Sequence, residues 1–291
     1  MSERIGFLGL GNMGAPMAER LAGWPGGLVV CDVRQEAVER FTAGGAAAAA
    51  SAAELAEQAA IISITVVNDD QVLEVVTGPD GVLRTAAPGT VVAVHSTISD
   101  RTAEDLAVTC AERGVELVDA PVSGGAPGAT RGTLAVMVGG SAAAFERVRE
   151  PFGRFADLIV HAGPIGAGTR MKLARNLLQF VSFAAASEAQ RLAEAAGLDI
   201  TALGKVVRHS DAVTGGPGAI MLRDSTAPIE DGDVWLPILR HVRDLGEKDL
   251  GLALELGQRL GTALPLAELA LDRLGSGLGV GAGTSSERLS S

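Results

Sequence analysis

Residues 5–17 read Ile5-Gly-Phe-Leu-Gly9-Leu-Gly11-Asn-Met-Gly14-Ala-Pro-Met17. A short apolar run leads into Gly9-x-Gly11-x-x-Gly14, and a helix-compatible stretch follows. Glycines permit the tight turn and let a pyrophosphate approach the backbone, while the helix start turns its N–H groups toward the anion. The motif alone is weak, since an ordinary glycine turn looks the same. Its context decides: Asp32 ends the next apolar run, where a carboxylate can accept hydrogen bonds from an adenosine ribose diol and repel a 2′-phosphate. NAD is therefore expected, with NADP as the alternative because Arg34 lies close enough to hold that phosphate.

Working outward, residues 4–8, 28–32, 61–67, 90–95, 117–119, 134–139 and 158–161 form apolar, largely β-branched runs separated by helical stretches. Ser51-Ala-Ala-Glu54 has the spacing of a capping box for a helix to about residue 60, and Asp100 is expected to cap another to about 113. Continuous apolar strands alternating with helices predict a parallel sheet covered on both faces, an α/β domain of the doubly wound, Rossmann type. The pattern then changes. Residues 168–196 are helical without a strong breaker, roughly 29 residues or about 43 Å, a length suited to joining two domains. No clear strand follows. Residues 215–218 read as a turn, and 244–260 and 264–274 as helices. The expected division is a nucleotide-binding domain over 1–163, an all-helical domain over 164–276 and a flexible tail over 277–291.

The 291 residues leave room for two such domains. A net charge of -11 argues against nucleic acid, which needs clustered Lys and Arg. No apolar run is long enough to span a bilayer, and the N-terminus enters a strand without a signal-peptide pattern. Cys31 and Cys110 lack metal or disulfide spacing and read as free thiols in a reducing cytoplasm. The four histidines are not spaced as ligands, so no metal is expected.

Two further segments carry chemistry. Asp119-Ala-Pro-Val-Ser123-Gly124-Gly125 follows a strand, and its small residues could form either an anion-binding nest or a plain turn. Gly166-Ala-Gly168-Thr-Arg-Met-Lys172-Leu-Ala-Arg-Asn176 opens the long helix. Lys172 and Asn176, four apart, project from one face. A lone Lys is usually a solvated cation, but a helix N-terminus disfavours the ammonium and helps a lysine act as base.

With these motifs the chain resembles the β-hydroxyacid dehydrogenases, the 3-hydroxyisobutyrate dehydrogenase-like family related to 6-phosphogluconate dehydrogenase. The resemblance runs from Ile5 to about Leu274. It rests on residues 6–17, on 119–125 with Gly132-Thr-Leu-Ala-Val-Met-Val-Gly-Gly140, on Gly168-x-x-x-Lys172-x-x-x-Asn176, and on Lys248-Asp249. It implies hydride transfer between NAD(P) and a small 3-hydroxy acid or semialdehyde. Lys172 is then the acid–base, Asn176 orients substrate, and Ser123, Gly124 and Gly125 hold its carboxylate. Gly9, Leu10, Gly11, Asn12, Met13, Gly14, Asp32, Val67, Asn68, Ser96, Thr97 and Lys248 lie along the cofactor. A homodimer or homotetramer is also implied. Departures are Arg175 where Asn is usual, His95 for Asp, Val67-Asn68 for Leu-Pro, His241 for Phe, and an unusual C-terminal segment. An imine reductase is the alternative enzyme, although that group typically replaces the lysine. A non-catalytic cofactor-binding scaffold is the other alternative, although it too would be expected to lose Lys172.

Overall fold

The computed structural model describes residues 2–221, 223 and 225–281. The strands are β1 (Ile5–Leu8), β2 (Leu28–Cys31), β3 (Ala47–Ala48), β4 (Ile61–Ile64), β5 (Val91–Val94), β6 (Glu116–Asp119), β7 (Val122–Ser123), β8 (Leu134–Gly139) and β9 (Ala156–Gly163). The helices are α1 (Gly14–Arg20), α2 (Gln35–Thr42), α3 (Ala52–Ala56), α4 (Asp69–Thr77), α5 (Asp100–Ala111), α6 (Gly125–Arg131), α7 (Ala142–Phe152), α8 (Ala167–Ala195), α9 (Ile200–Thr214), α10 (Trp235–Leu260) and α11 (Pro265–Gly277).

The strands form one sheet in the order β3-β2-β1-β4-β5-β6-β8-β7, with β9 beside β8. The first six are parallel and follow the Rossmann order 3-2-1-4-5-6. The sheet is not wholly parallel as expected. β8 runs antiparallel to β6 and to the two-residue β7, because the chain leaves β7 through the short helix α6 and returns along the same edge of the sheet in the opposite direction. Alternation along each strand splits the core. Phe7, Val30, Val91 and Val118 enter one apolar layer with Met17, Phe152 and Phe155. Leu8, Val29, Val92 and Leu117 enter the other, with Leu55, Leu106 and Cys110.

Helix ends show local chemistry. Ser51 Oγ accepts from the Glu54 N–H at 3.1 Å, as expected, but the Glu54 carboxylate returns to the Ala50 N–H at 2.7 Å, and α3 stops at Ala56. Ser99, not Asp100, caps α5, its Oγ accepting from the Arg101 N–H. Asp100 instead pairs with Arg170 at 2.8 Å.

The contacts divide the chain into Met1–Arg175 and Asn176–Ser291, and α8 runs across that division. In the second unit α10 begins at Trp235, earlier than the sequence pattern indicates, and packs on α11. Both oxygens of the buried Glu188 carboxylate receive the Leu266 N–H, at 2.9 and 3.1 Å, which fixes the start of α11 on α8. α11 continues to Gly277, through the position where the tail was expected to start. Residues 278–281, also in that expected tail, fold back onto the second unit, with the Ile229 N–H bonded to the Gly279 carbonyl at 2.8 Å, and residues 282–291 lie outside the described residues. Among the described residues no helix is long and apolar enough to cross a membrane.

Candidate active site

Gly9 takes φ 87°, which L side chains rarely adopt, and its N–H bonds the Cys31 carbonyl at 3.0 Å. Thr65, just past β4, donates its hydroxyl to the Gly9 carbonyl at 2.6 Å. A Cβ at Gly14 would lie 1.9 Å from the Gly9 oxygen, whereas one at Gly11 would meet nothing within 4 Å. The turn is thus closed on the protein side and open on the other. That is the cradle a pyrophosphate requires, and the dinucleotide fits it.

Asp32 stands behind this turn. Its Oδ2 accepts the Leu10 N–H at 2.6 Å, and Oδ1 accepts from Arg34 N and Nε at 2.9 and 3.2 Å. Burial works to raise its pKa, but the Arg34 side chain and the two backbone N–H groups outweigh that and hold the carboxyl below its usual range. Arg34 also donates to the Leu10 carbonyl at 3.0 Å, so the guanidinium rests on the glycine turn and is anchored beside Asp32.

A cavity of about 410 Å³ opens in front of the turn. Gly11, Asn12, Met13 and Gly14 line one side, Thr65, Val66 and Val67 another, and His95, Ser96, Thr97, Val122, Gly125 and Lys172 the rest. Ser96 is locked in place: its hydroxyl donates to the Val66 carbonyl at 2.6 Å and accepts the Val66 N–H at 3.0 Å. Asn68 caps α4 by accepting the Gln71 N–H at 3.0 Å, while Val67 is 81% exposed. Ser123 ends β7, Gly124 has φ 129°, and Gly125 begins α6, so this loop is a strand-to-helix turn with glycines at both strained positions.

Lys172 is only 9% exposed. Burial, and then the neighbouring Arg175 charge, hold its pKa below the usual lysine range. The helix N-terminus had been the expected cause. That end is already occupied, because the buried Asp119 carboxylate accepts the Gly166 N–H at 2.7 Å and the Thr169 N–H at 2.6 Å.

The whole of this nucleotide half matches the family described as the NAD binding domain of 6-phosphogluconate dehydrogenase, over residues 4–163. An uncharacterised oxidoreductase of Mycobacterium tuberculosis is 62% identical over 96% of this chain and 94% of its own. An NAD-dependent L-serine dehydrogenase of Pseudomonas aeruginosa is 37% identical over 92% and 90%. The chain belongs to the β-hydroxyacid dehydrogenase family. A crystal structure of a Mycobacterium avium oxidoreductase, 54% identical, superposes on this β-hydroxyacid dehydrogenase fold with a TM-score of 0.92, covering 96% of this chain and 99% of the other.

Not every residue of the family motifs gathers at this cavity. Asn176 opens the second unit on α8, and Lys248 lies on α10, 60% exposed with Nζ 3.1 Å from Asp249. Lys248 lines a different cavity of about 850 Å³ in that unit, which none of the other expected site residues enters. His95 has a structural place. Nδ1 lies 2.7 Å from the Ala120 carbonyl, which can only accept, so Nδ1 carries the proton and Nε2 accepts from Ser63 Oγ at 3.1 Å. Burial lowers its pKa to about 4, among the rings of Phe7, Phe152 and Phe155. His241 is exposed on α10. Thr65, Val66, His95 and Val122 line the cavity without having been expected there. The signal for Thr65 and Val66 was their place after β4, the strand that pairs with β1. Burial raises the thiols of Cys31 and Cys110 to about 11 and about 12, so both stay protonated.

Proposed function

We propose that the protein oxidises a small 3-hydroxy acid, or reduces the matching semialdehyde, with Lys172 as the acid–base and NAD as the preferred cofactor. The observation that carries this reading is a buried lysine of lowered pKa on the wall of the cavity that the glycine turn also lines. Gly11, Asn12, Met13 and Gly14 would hold the pyrophosphate, Asp32 the adenosine ribose, and Ser96 and Thr97 the nicotinamide end. Lys248 would close over the cofactor. When bound, NAD(P) accepts or supplies the hydride.

The neutral Lys172 amine takes the substrate hydroxyl proton on oxidation, and the ammonium returns it on reduction. Its depressed pKa keeps the neutral form available at lower pH than a solvated lysine allows. Ser123, Gly124 and Gly125 hold the carboxylate, and Asn176 orients the reacting oxygen. The retained Lys172 disfavours an imine reductase or a silent scaffold. A homodimer or homotetramer fits the exposed Leu177, Phe180, Val181 and Phe183 on α8; light scattering at the monomer mass would contradict it.

The test is steady-state turnover with NAD+ against NADP+, over 3-hydroxyisobutyrate, L-serine and 4-hydroxybutyrate. Lysine-dependent turnover with an NAD preference supports the reading, and activity confined to cyclic imines overturns it. Arg175 gives a second expected result. Its charge is one of the two causes that depress Lys172, so Arg175→Asn removes a depressing influence and the lysine pKa rises. The acid limb of the kcat/KM profile for oxidation then moves to higher pH. An unmoved limb would mean that Arg175 does not act on Lys172.

A further inference from the structure

Asp119 is fully buried, yet no part of the chemistry above uses its side chain. Its two oxygens are divided between two donors on the start of α8: Oδ1 receives the Gly166 N–H at 2.7 Å and Oδ2 the Thr169 N–H at 2.6 Å. Burial pushes its pKa up, while the two N–H groups pull it back. The backbone at this point is fixed independently. Asp119 pairs in register with Val94 on β5 and with Gly139 on β8, and the next N–H, of Ala120, bonds the Val94 carbonyl at 2.8 Å.

The fit around the carboxylate leaves no slack. A Cβ at Gly139 would lie 2.3 Å from Asp119 Oδ1. One at Gly168 would lie 2.3 Å from the Met137 carbonyl and 2.6 Å from that of Asp119. The first turn of α8 is therefore seated directly on the ends of β6 and β8. Arg170, one residue further, ties the same turn to Asp100 and Glu104 on α5. Lys172 follows on the next turn, while the strand that holds Asp119 runs on into Val122, Ser123, Gly124 and Gly125.

We infer that Asp119 is a positioning residue for Lys172: its carboxylate clamps the start of α8 to the sheet and so sets where the lysine amine stands relative to the 123–125 loop. The inference rests on Lys172 being the acid–base. Asparagine keeps the shape but offers an NH2 to one of the two N–H donors, so one clamp bond becomes a donor–donor clash. A displacement of the order of 1 Å at a reacting group costs about 10²-fold in rate.

The experiment compares Asp119→Asn with the parent in kcat, KM, reduced-cofactor binding and amide hydrogen exchange. The expected result is a kcat lower by about 10²-fold with cofactor affinity retained. Exchange should be faster across residues 164–173 and unchanged across 5–17. Faster exchange with kcat unchanged would overturn the inference by making the clamp structural only. A fall in kcat without faster exchange, or with an equal loss of cofactor affinity, would also overturn it. Should Asp119→Asn not fold, Thr169→Pro removes one donor in the first helical turn, where proline is tolerated, and should give a smaller fall in kcat with the same exchange pattern; an unchanged kcat there overturns the inference. Full turnover in Lys172→Ala is a separate outcome. It removes the acid–base reading, while the exchange measurement still reports whether Asp119 clamps the helix.

Discussion

Lys172→Ala is expected to lower kcat by about 10²–10⁴-fold, the usual worth of a positioned acid–base group, while the reduced cofactor still binds. Lys172 sits on the cavity wall, 9% exposed, and the glycine turn that would hold the pyrophosphate is formed by other residues. Truncation at Cβ removes the amine without touching that turn. The pH profile gives an independent reading. In the parent, oxidation requires the neutral amine, so its rate rises as pH passes upward through the lowered lysine pKa. Reduction requires the ammonium and falls over the same interval. Both dependences should vanish in the variant. Turnover within about threefold of the parent would remove Lys172 from the chemistry, because such a change is under 1 kcal/mol of transition-state stabilisation.

Gly14→Ala should have the next largest effect, on cofactor binding and stability together. The added Cβ would stand 1.9 Å from the Gly9 carbonyl oxygen and 2.2 Å from Thr65 Oγ1, the two atoms already bonded to each other at 2.6 Å. Neither belongs to the far end of a flexible side chain, so the turn itself must shift. Overpacking of this kind costs about 1–3 kcal/mol, which is about 5- to 150-fold in an equilibrium constant. Titration of reduced cofactor by fluorescence should show a loss of that order, and thermal unfolding a lower Tm. Gly11→Ala is the control, since a Cβ there meets nothing within 4 Å and should leave Tm unchanged. Equal Tm values for Gly14→Ala and the parent would mean that the loop has room that its geometry does not show.

The nucleotide half was legible in the sequence because its signals are local. Gly9, Gly11 and Gly14 mark a turn whatever surrounds it, and the nearly continuous apolar runs along 5–8, 61–64 and 91–94 announce strands buried on both faces. Lys172 stood out through its four-residue spacing to Asn176 on a long unbroken helix. Other features could not be read this way. The antiparallel β7–β8 pairing sets Val122 against Val136 across the intervening helix α6, which no local pattern specifies. Ser99 holds the capping place expected of Asp100, and Asp100 instead pairs with Arg170, 70 residues away in sequence.

The sequence by itself determined the alternation of strands and helices, the glycine turn, Asp32 just past β2 and a lysine near the head of α8, all properties of neighbours along the chain. Tertiary structure alone decided that Lys172 is buried on the wall of the glycine-turn cavity, which partners hold His95 neutral, and that Asp119 holds the helix start. Burial and hydrogen-bond partners arise between segments far apart in sequence, here 47 residues between Asp119 and Gly166. It is desolvation and partnership, not residue type, that fix a side chain's charge state.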